Sequence, residues 1–145
     1  MGDATGLWQK MRHCLLALAG GQGASSQDAP SGARAERLAA DFLQSQGVRI
    51  IARNVRCKGG EIDLIGEHAG TLVFFEVRLR SDPRFGGAAA SITPTKQRRI
   101  TLAARVWLQG DGRAYRQRQM RFDALLLDSL ETANIEWLRD AFSAS

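Results

Sequence analysis

Residues 60–80, GEIDLIGEHAGTLVFFEVRLR, constrain the fold more than any other part of the chain. Two runs rich in apolar and β-branched residues flank Ala69-Gly70, the pattern of two strands joined by a tight turn. With the turn centred there, Asp63 falls opposite Glu76, and directly opposed side chains start roughly 5 Å apart. Side chains repeat every second residue along a strand, so Glu61 and Arg78 share that face. Ile62, Leu64, Phe75, Val77 and Leu79 form the other face, which is expected to pack on a core. Two carboxylates this close repel each other. A face that is consistently patterned yet locally unfavourable marks a functional site. Carboxylate oxygens are hard ligands, and two or three of them with water suit Mg²⁺ or Mn²⁺.

The chain has 145 residues, 44% hydrophobic and 24% charged, which fits one ordinary domain. No apolar run approaches the roughly 20 residues of a membrane span. Two cysteines, Cys14 and Cys57, make neither a zinc site nor a disulfide framework, and they fit a reducing cytoplasm. Lys10 and Arg12 ahead of CLLALAGG imitate a signal peptide faintly, with an apolar core at the short limit for secretion. Residues 1–31 include GGQGASSQDAPS and read as a flexible extension. Residues 32–145 read as an α/β domain.

Within that domain, Ala35, Leu38, Ala39, Phe42 and Leu43 lie at helical spacing and Gly47 is a natural stop. Residues 48–56, VRIIARNVR, read as a strand. Residues 81–92 are turn-rich and read as a mobile loop. Thr93-Pro94 is an N-cap followed by proline at the first helical position, and Gly110 ends that helix. Ile100, Ala103, Ala104, Trp107 and Leu108 are its apolar stripe, with Trp107 read as core. A basic connection over 111–119 leads to a strand at 120–128, and 135–142 closes the chain as a short edge strand and turn. The order α-β-β-β-α-β with a final strand predicts a mixed sheet with helices packed on it.

Several further residues can join the acidic pair. Glu36 sits along the edge of the first helix's buried stripe, where a carboxylate wants a partner. It would be a third ligand or an orienting neighbour; the structural alternative is an ion pair with Arg34 or a sheet arginine. Lys96, one turn before Ile100, can reach toward the sheet or remain a solvated lysine. Asp63 and Glu76 have their own alternative, ion pairs with Arg53, Arg56, Arg78 or Arg80. Glu61 reads as the cross-strand partner of Arg78, and Asp123 as structural.

The net charge of +5 is unevenly spread. Residues 34–125 hold 17 basic against nine acidic residues, and 96–121 hold eight against one. Such a stretch favours a polyanion, nucleic acid above all, although a solvated basic face is the plain alternative. The candidate phosphate contacts are Arg80, Arg84, Arg98, Arg99, Arg116 and Arg118. Lys96, Arg98 and Arg99 also open a helix, whose N-terminus offers unpaired N–H groups to phosphate. No aromatic stacking ladder stands out, and Tyr115 stands alone.

Six separated segments carry a family resemblance: GARAERLA, GVRIIARNVR, GGEIDLI, LVFFEVRLRS, TKQRRI and RFDALLLD. In this order they resemble the bacterial YraN-like family, which is similar to PD-(D/E)XK nucleases and archaeal Holliday-junction resolvases. The resemblance covers residues 32–142. It implies a restriction-endonuclease-like α/β core, a mixed central β-sheet flanked by α-helices. It implies Asp63 and Glu76 as metal ligands, Glu36 as the helix glutamate of the same site, and Lys96 with Gln97 at its border. It further implies Mg²⁺-dependent hydrolysis of DNA phosphodiesters, branched DNA included, and leaves a homodimer open. One position departs from the pattern. The superfamily places lysine two residues after the second acid, and here that residue is Arg78. Arginine stabilises an anion but never serves as a general base. The alternative function is therefore a non-catalytic nucleic-acid-binding module with a degenerate nuclease site. A third is an interaction partner whose basic face meets an acidic protein.

Overall fold

A computed structural model describes residues 31–79, 92–130 and 134–144. Helix α1 (Ser31–Ser45) opens the described chain. Ala35, Ala39, Ala40 and Leu43 form its inward stripe, each at most 3% exposed. The helix stops where Gly47 adopts φ +87°. Gly47 N–H then donates to Gln44 and Val48 N–H to Leu43, so the last carbonyls are satisfied as the chain turns.

Strands β1 (Arg49–Cys57), β2 (Gly60–His68) and β3 (Thr71–Leu79) follow as an antiparallel meander. Ala69 and Gly70 both have positive φ, 50° and 82°, and they join β2 to β3 in the tight turn expected from sequence. Helix α2 (Pro94–Gln109) begins as its sequence predicts, with the Thr93 hydroxyl accepting from the Lys96 N–H at 3.2 Å. A short 3₁₀ turn (Arg113–Tyr115) leads to β4 (Met120–Leu127) and β5 (Ile135–Phe142). The sheet order is β1-β2-β3-β4-β5, with β3 and β4 parallel and every other pair antiparallel. The described residues form an α/β fold with a mixed five-stranded sheet and two helices, consistent with a restriction-endonuclease-like core.

Both faces of the sheet are covered, which corrects the expectation of one apolar and one polar face. Leu64, Val73, Phe75, Leu125 and Leu127 pack under α1. Ile62, Ile65, Leu72, Phe74 and Phe122 pack with Ile100, Ala104 and Trp107 of α2. Ile62 and Leu64, two residues apart, therefore face opposite ways. The alternation of β2 slips at Asp63, and Asn54, opposite it in β1, has φ 49°; the register shift between the two strands lies between Ile50 and Ala52. Leu79, expected inside, is 38% exposed at the end of β3. Residues 1–30, Arg80, Arg84 and the 81–91 segment, including the readings made for them, lie outside the described residues.

Candidate active site

The slip at Asp63 builds the site. Ladder pairing between β2 and β3 runs from His68–Thr71 to Leu64–Phe75 and goes no further. The next pair in that register would be Asp63–Glu76. Instead, Asp63 Oδ2 accepts from the backbone N–H of Val77 at 2.8 Å. The aspartate side chain replaces a ladder bond, and its carboxyl meets that of Glu76 in a side-chain hydrogen bond. The two acids are thus near enough for each to shift the other's pKa.

Two cations attend Glu76, whose side chain is 3% exposed. Lys96 Nζ lies 2.5 Å from Oε1, and Arg78 Nη1 lies 3.9 Å from the same oxygen. Lys96 reaches inward because α2 lies close against β2 at Gly60. A Cβ at Gly60 would overlap the carbonyl oxygen of Arg99, so only glycine lets the first turns of α2 settle there. Gln97 anchors the same turn, donating from Nε2 to the Ile92 carbonyl at 2.9 Å.

Burial sets the electrostatics. Removal from water raises the Glu76 pKa to about 7, reinforced by the neighbouring Asp63 charge and opposed by Lys96. Burial also raises Asp63, against the hydrogen bonds it accepts. Glu36 of α1 is raised as well, first by burial and then by the Asp63 charge. A hydrogen bond with Asn54 and the charge of Arg56 pull Glu36 the other way. Glu36 therefore belongs to the neighbourhood of Asp63, but among the described residues no three acids, histidines or cysteines gather into a ready-made metal cluster.

The basic residues divide into two groups. Arg98 and Arg99 are exposed on the opening turns of α2, near the acidic pair, with Arg98 also bonded to the Thr95 hydroxyl at 3.1 Å. Arg116 and Arg118 do not border the acids. Parallel pairing sets Leu72 beside Met120, so the segment before β4 lies at the start of β3, whereas Glu76 lies near its end. Arg118 instead pairs with Glu67 at 3.5 Å. Glu61 is also placed differently from the sequence reading: it faces Arg56 across β1–β2, at 3.7 Å, and not Arg78.

Residues 35–127 match the model of the uncharacterised protein family UPF0102. The chain belongs to that family. A UPF0102 protein of Methylobacillus flagellatus is 50% identical over 110 residues, covering 76% of this chain and 94% of its own. One from Nitrosomonas europaea is 48% identical over 114 residues, covering 79% and 94%. One from Cupriavidus taiwanensis is 53% identical over 114 residues, covering 78% and 82%. The UPF0102 match contains Glu36, Asp63, Glu76, Arg78 and Lys96 and stops at the end of β4.

Two residues of this UPF0102 chain carry more than the sequence reading gave them. Asn54 supplies the polar neighbour of Glu36, a role its left-handed backbone permits. Tyr115 is not alone: its ring stacks on Trp107, 5.8 Å between centroids. Asp123 is structural, as expected. It is fully buried and accepts two bonds from Arg121, one from Trp137 Nε1 and one from the Asp140 N–H. These bonds hold β5 where its register to β4 shifts.

Proposed function

We propose that this chain is a divalent-metal-dependent nuclease-like hydrolase acting on DNA phosphodiesters. The observation that carries the reading is the Asp63–Glu76 pair, a half-buried and a buried hard-ligand carboxyl side by side, with one ammonium and one backbone N–H as their nearest donors. That donor set fits Mg²⁺ or Mn²⁺, with Asp63 and Glu76 as the protein ligands. The cation would supply Lewis-acid stabilisation of phosphate charge and lower the pKa of bound water.

The remaining roles belong to side chains of this protein. Lys96 is held at Glu76 and presents a compact positive charge to a phosphate entering there. Arg78, 36% exposed and 3.9 Å from Glu76, steadies phosphate oxygens without exchanging a proton. Glu36, through Asn54, fixes the approach to Asp63. Arg98 and Arg99, on the first turns of α2, meet the flanking backbone. The reading extends to a cytoplasmic protein, consistent with a free Cys57, and to pairing of two chains, checked by sedimentation.

The test is cleavage of branched, flapped and single-stranded DNA with Mg²⁺ or Mn²⁺. Activity is expected to vanish in Asp63→Ala; activity unchanged in that variant removes this mechanism.

One observation favours a second reading, a non-catalytic DNA-binding module. Lys96 already neutralises Glu76, and Arg78 stands where the motif lysine would be. DNA binding that persists in EDTA and in Asp63→Ala, with no cleavage of any substrate, selects it.

A further inference from the structure

The sheet face that carries Glu76 also carries a second basic group, at the other end of α2. Arg49 and Arg118 share one carboxylate, Glu67, at 3.0 and 3.5 Å. Arg49 also reaches the Tyr115 hydroxyl at 3.5 Å. Arg113 and Arg116 flank Tyr115, and both are exposed. Two guanidiniums thus hold one glutamate, and Arg113 and Arg116 add two more on the adjoining connector.

This group is built on a rigid base. Tyr115 stacks on Trp107, which is 6% exposed. Gly112 lies flat on the same indole, where a Cβ would overlap the ring. Successive backbone bonds, Tyr115 N–H to Gly112, Arg116 N–H to Arg113 and Arg118 N–H to Tyr115, fix the arginines' backbone. A basic stretch that is merely solvated does not need such an anchor.

Its position relative to the acidic pair follows from the two elements joining them. Four strand residues separate Leu72, beside Met120, from Glu76, about 13 Å. Along α2, eleven residues separate Lys96 from Trp107, about 16 Å. Arg98 and Arg105, seven residues apart and both exposed, share one side of that helix between the two groups. A duplex rises about 3.4 Å per base pair, so the interval, laid along the duplex axis, corresponds to four or five base pairs.

We propose that Arg113 and Arg116, with Arg49 and Arg118 beside them, form a second phosphate-contact patch that grips the DNA backbone four to five base pairs from the acidic pair. The inference rests on the nucleic-acid reading above. It assigns these arginines a place on the DNA away from the site of hydrolysis.

The test is fluorescence anisotropy of a 24-base-pair duplex in EDTA, over a range of NaCl concentrations, with the full chain and its Arg113→Gln/Arg116→Gln variant. Two lost phosphate contacts lower the slope of log affinity against log salt by about 1.8. At 0.1 M NaCl the variant then binds roughly 10- to 60-fold more weakly. Both side chains are exposed, so the variant's melting temperature and its Mn²⁺ binding, followed by electron paramagnetic resonance, should match the parent. Parental affinity and slope in the variant overturn the patch and leave the acidic site standing. Absence of salt-dependent binding by the unsubstituted chain overturns both readings.

Discussion

The ammonium of Lys96 lies 2.5 Å from Oε1 of Glu76, a carboxylate with 3% of its side chain exposed. Burial and the adjacent Asp63 push Glu76 up to about 7, and Lys96 restrains that rise. The folded protein therefore holds a proton on Glu76 between about pH 4.5 and 7, where the unfolded chain has released it. A group whose pKa rises on folding binds more protons in the native state, so stability falls as pH rises through that window. The raised Asp63 acts in the same direction. In EDTA the melting temperature should drop between pH 5 and 8. Glu76→Gln should flatten the drop, and Lys96→Gln should displace it to higher pH. Calorimetric melting across the window checks both; a parental profile in Glu76→Gln contradicts the assignment.

The same pair links metal to pH. Ligation requires both carboxyls ionised. Added Mg²⁺ or Mn²⁺ should raise the melting temperature more at pH 8 than at pH 6. At a hundredfold excess over Kd the gain is about 2.7 kcal/mol. Asp63→Asn should abolish it. Thermal-shift titration at the two pH values makes the measurement.

Asp123 concentrates four bonds on a fully buried carboxylate. Asp123→Ala would strand Arg121, the Trp137 N–H and the Asp140 N–H. Breaking one member of a buried ionic network costs about 3–5 kcal/mol. Urea unfolding should show a loss of this size.

Gly60→Ala tests how the site is assembled. The new methyl group overlaps the Arg99 carbonyl, so α2 must shift from β2. Overpacking of this kind costs about 1–3 kcal/mol. Unlike Asp123→Ala, this change should also loosen Lys96 from Glu76, visible as a shift of the pH–melting profile toward that of Lys96→Gln.

The elements were legible where local chemistry decides them. Thr93-Pro94 capped a helix, Gly47 ended one, and Ala69-Gly70 closed a hairpin, each through backbone preferences that act within a few residues. The opposition of Asp63 and Glu76 followed from counting outward from that turn. What escaped was set at a distance. The facing of Ile62 away from Leu64 depends on a slip shared by two strands, and a period-two reading assumes none. The distance of Arg116 and Arg118 from the acids is not legible either, because charge in sequence says nothing of the parallel pairing that carries them to the far end of β3. Glu61 met Arg56 because β1 supplied a neighbour closer than Arg78.

Chain order and spatial order coincide across the whole sheet, with a single parallel join between β3 and β4. As the polypeptide leaves the ribosome, β1, β2 and β3 can pair before α2 exists. β4 and β5 then add one after the other at the open edge. No early pairing has to be undone to admit a later strand, which spares the nascent chain one common source of kinetic traps.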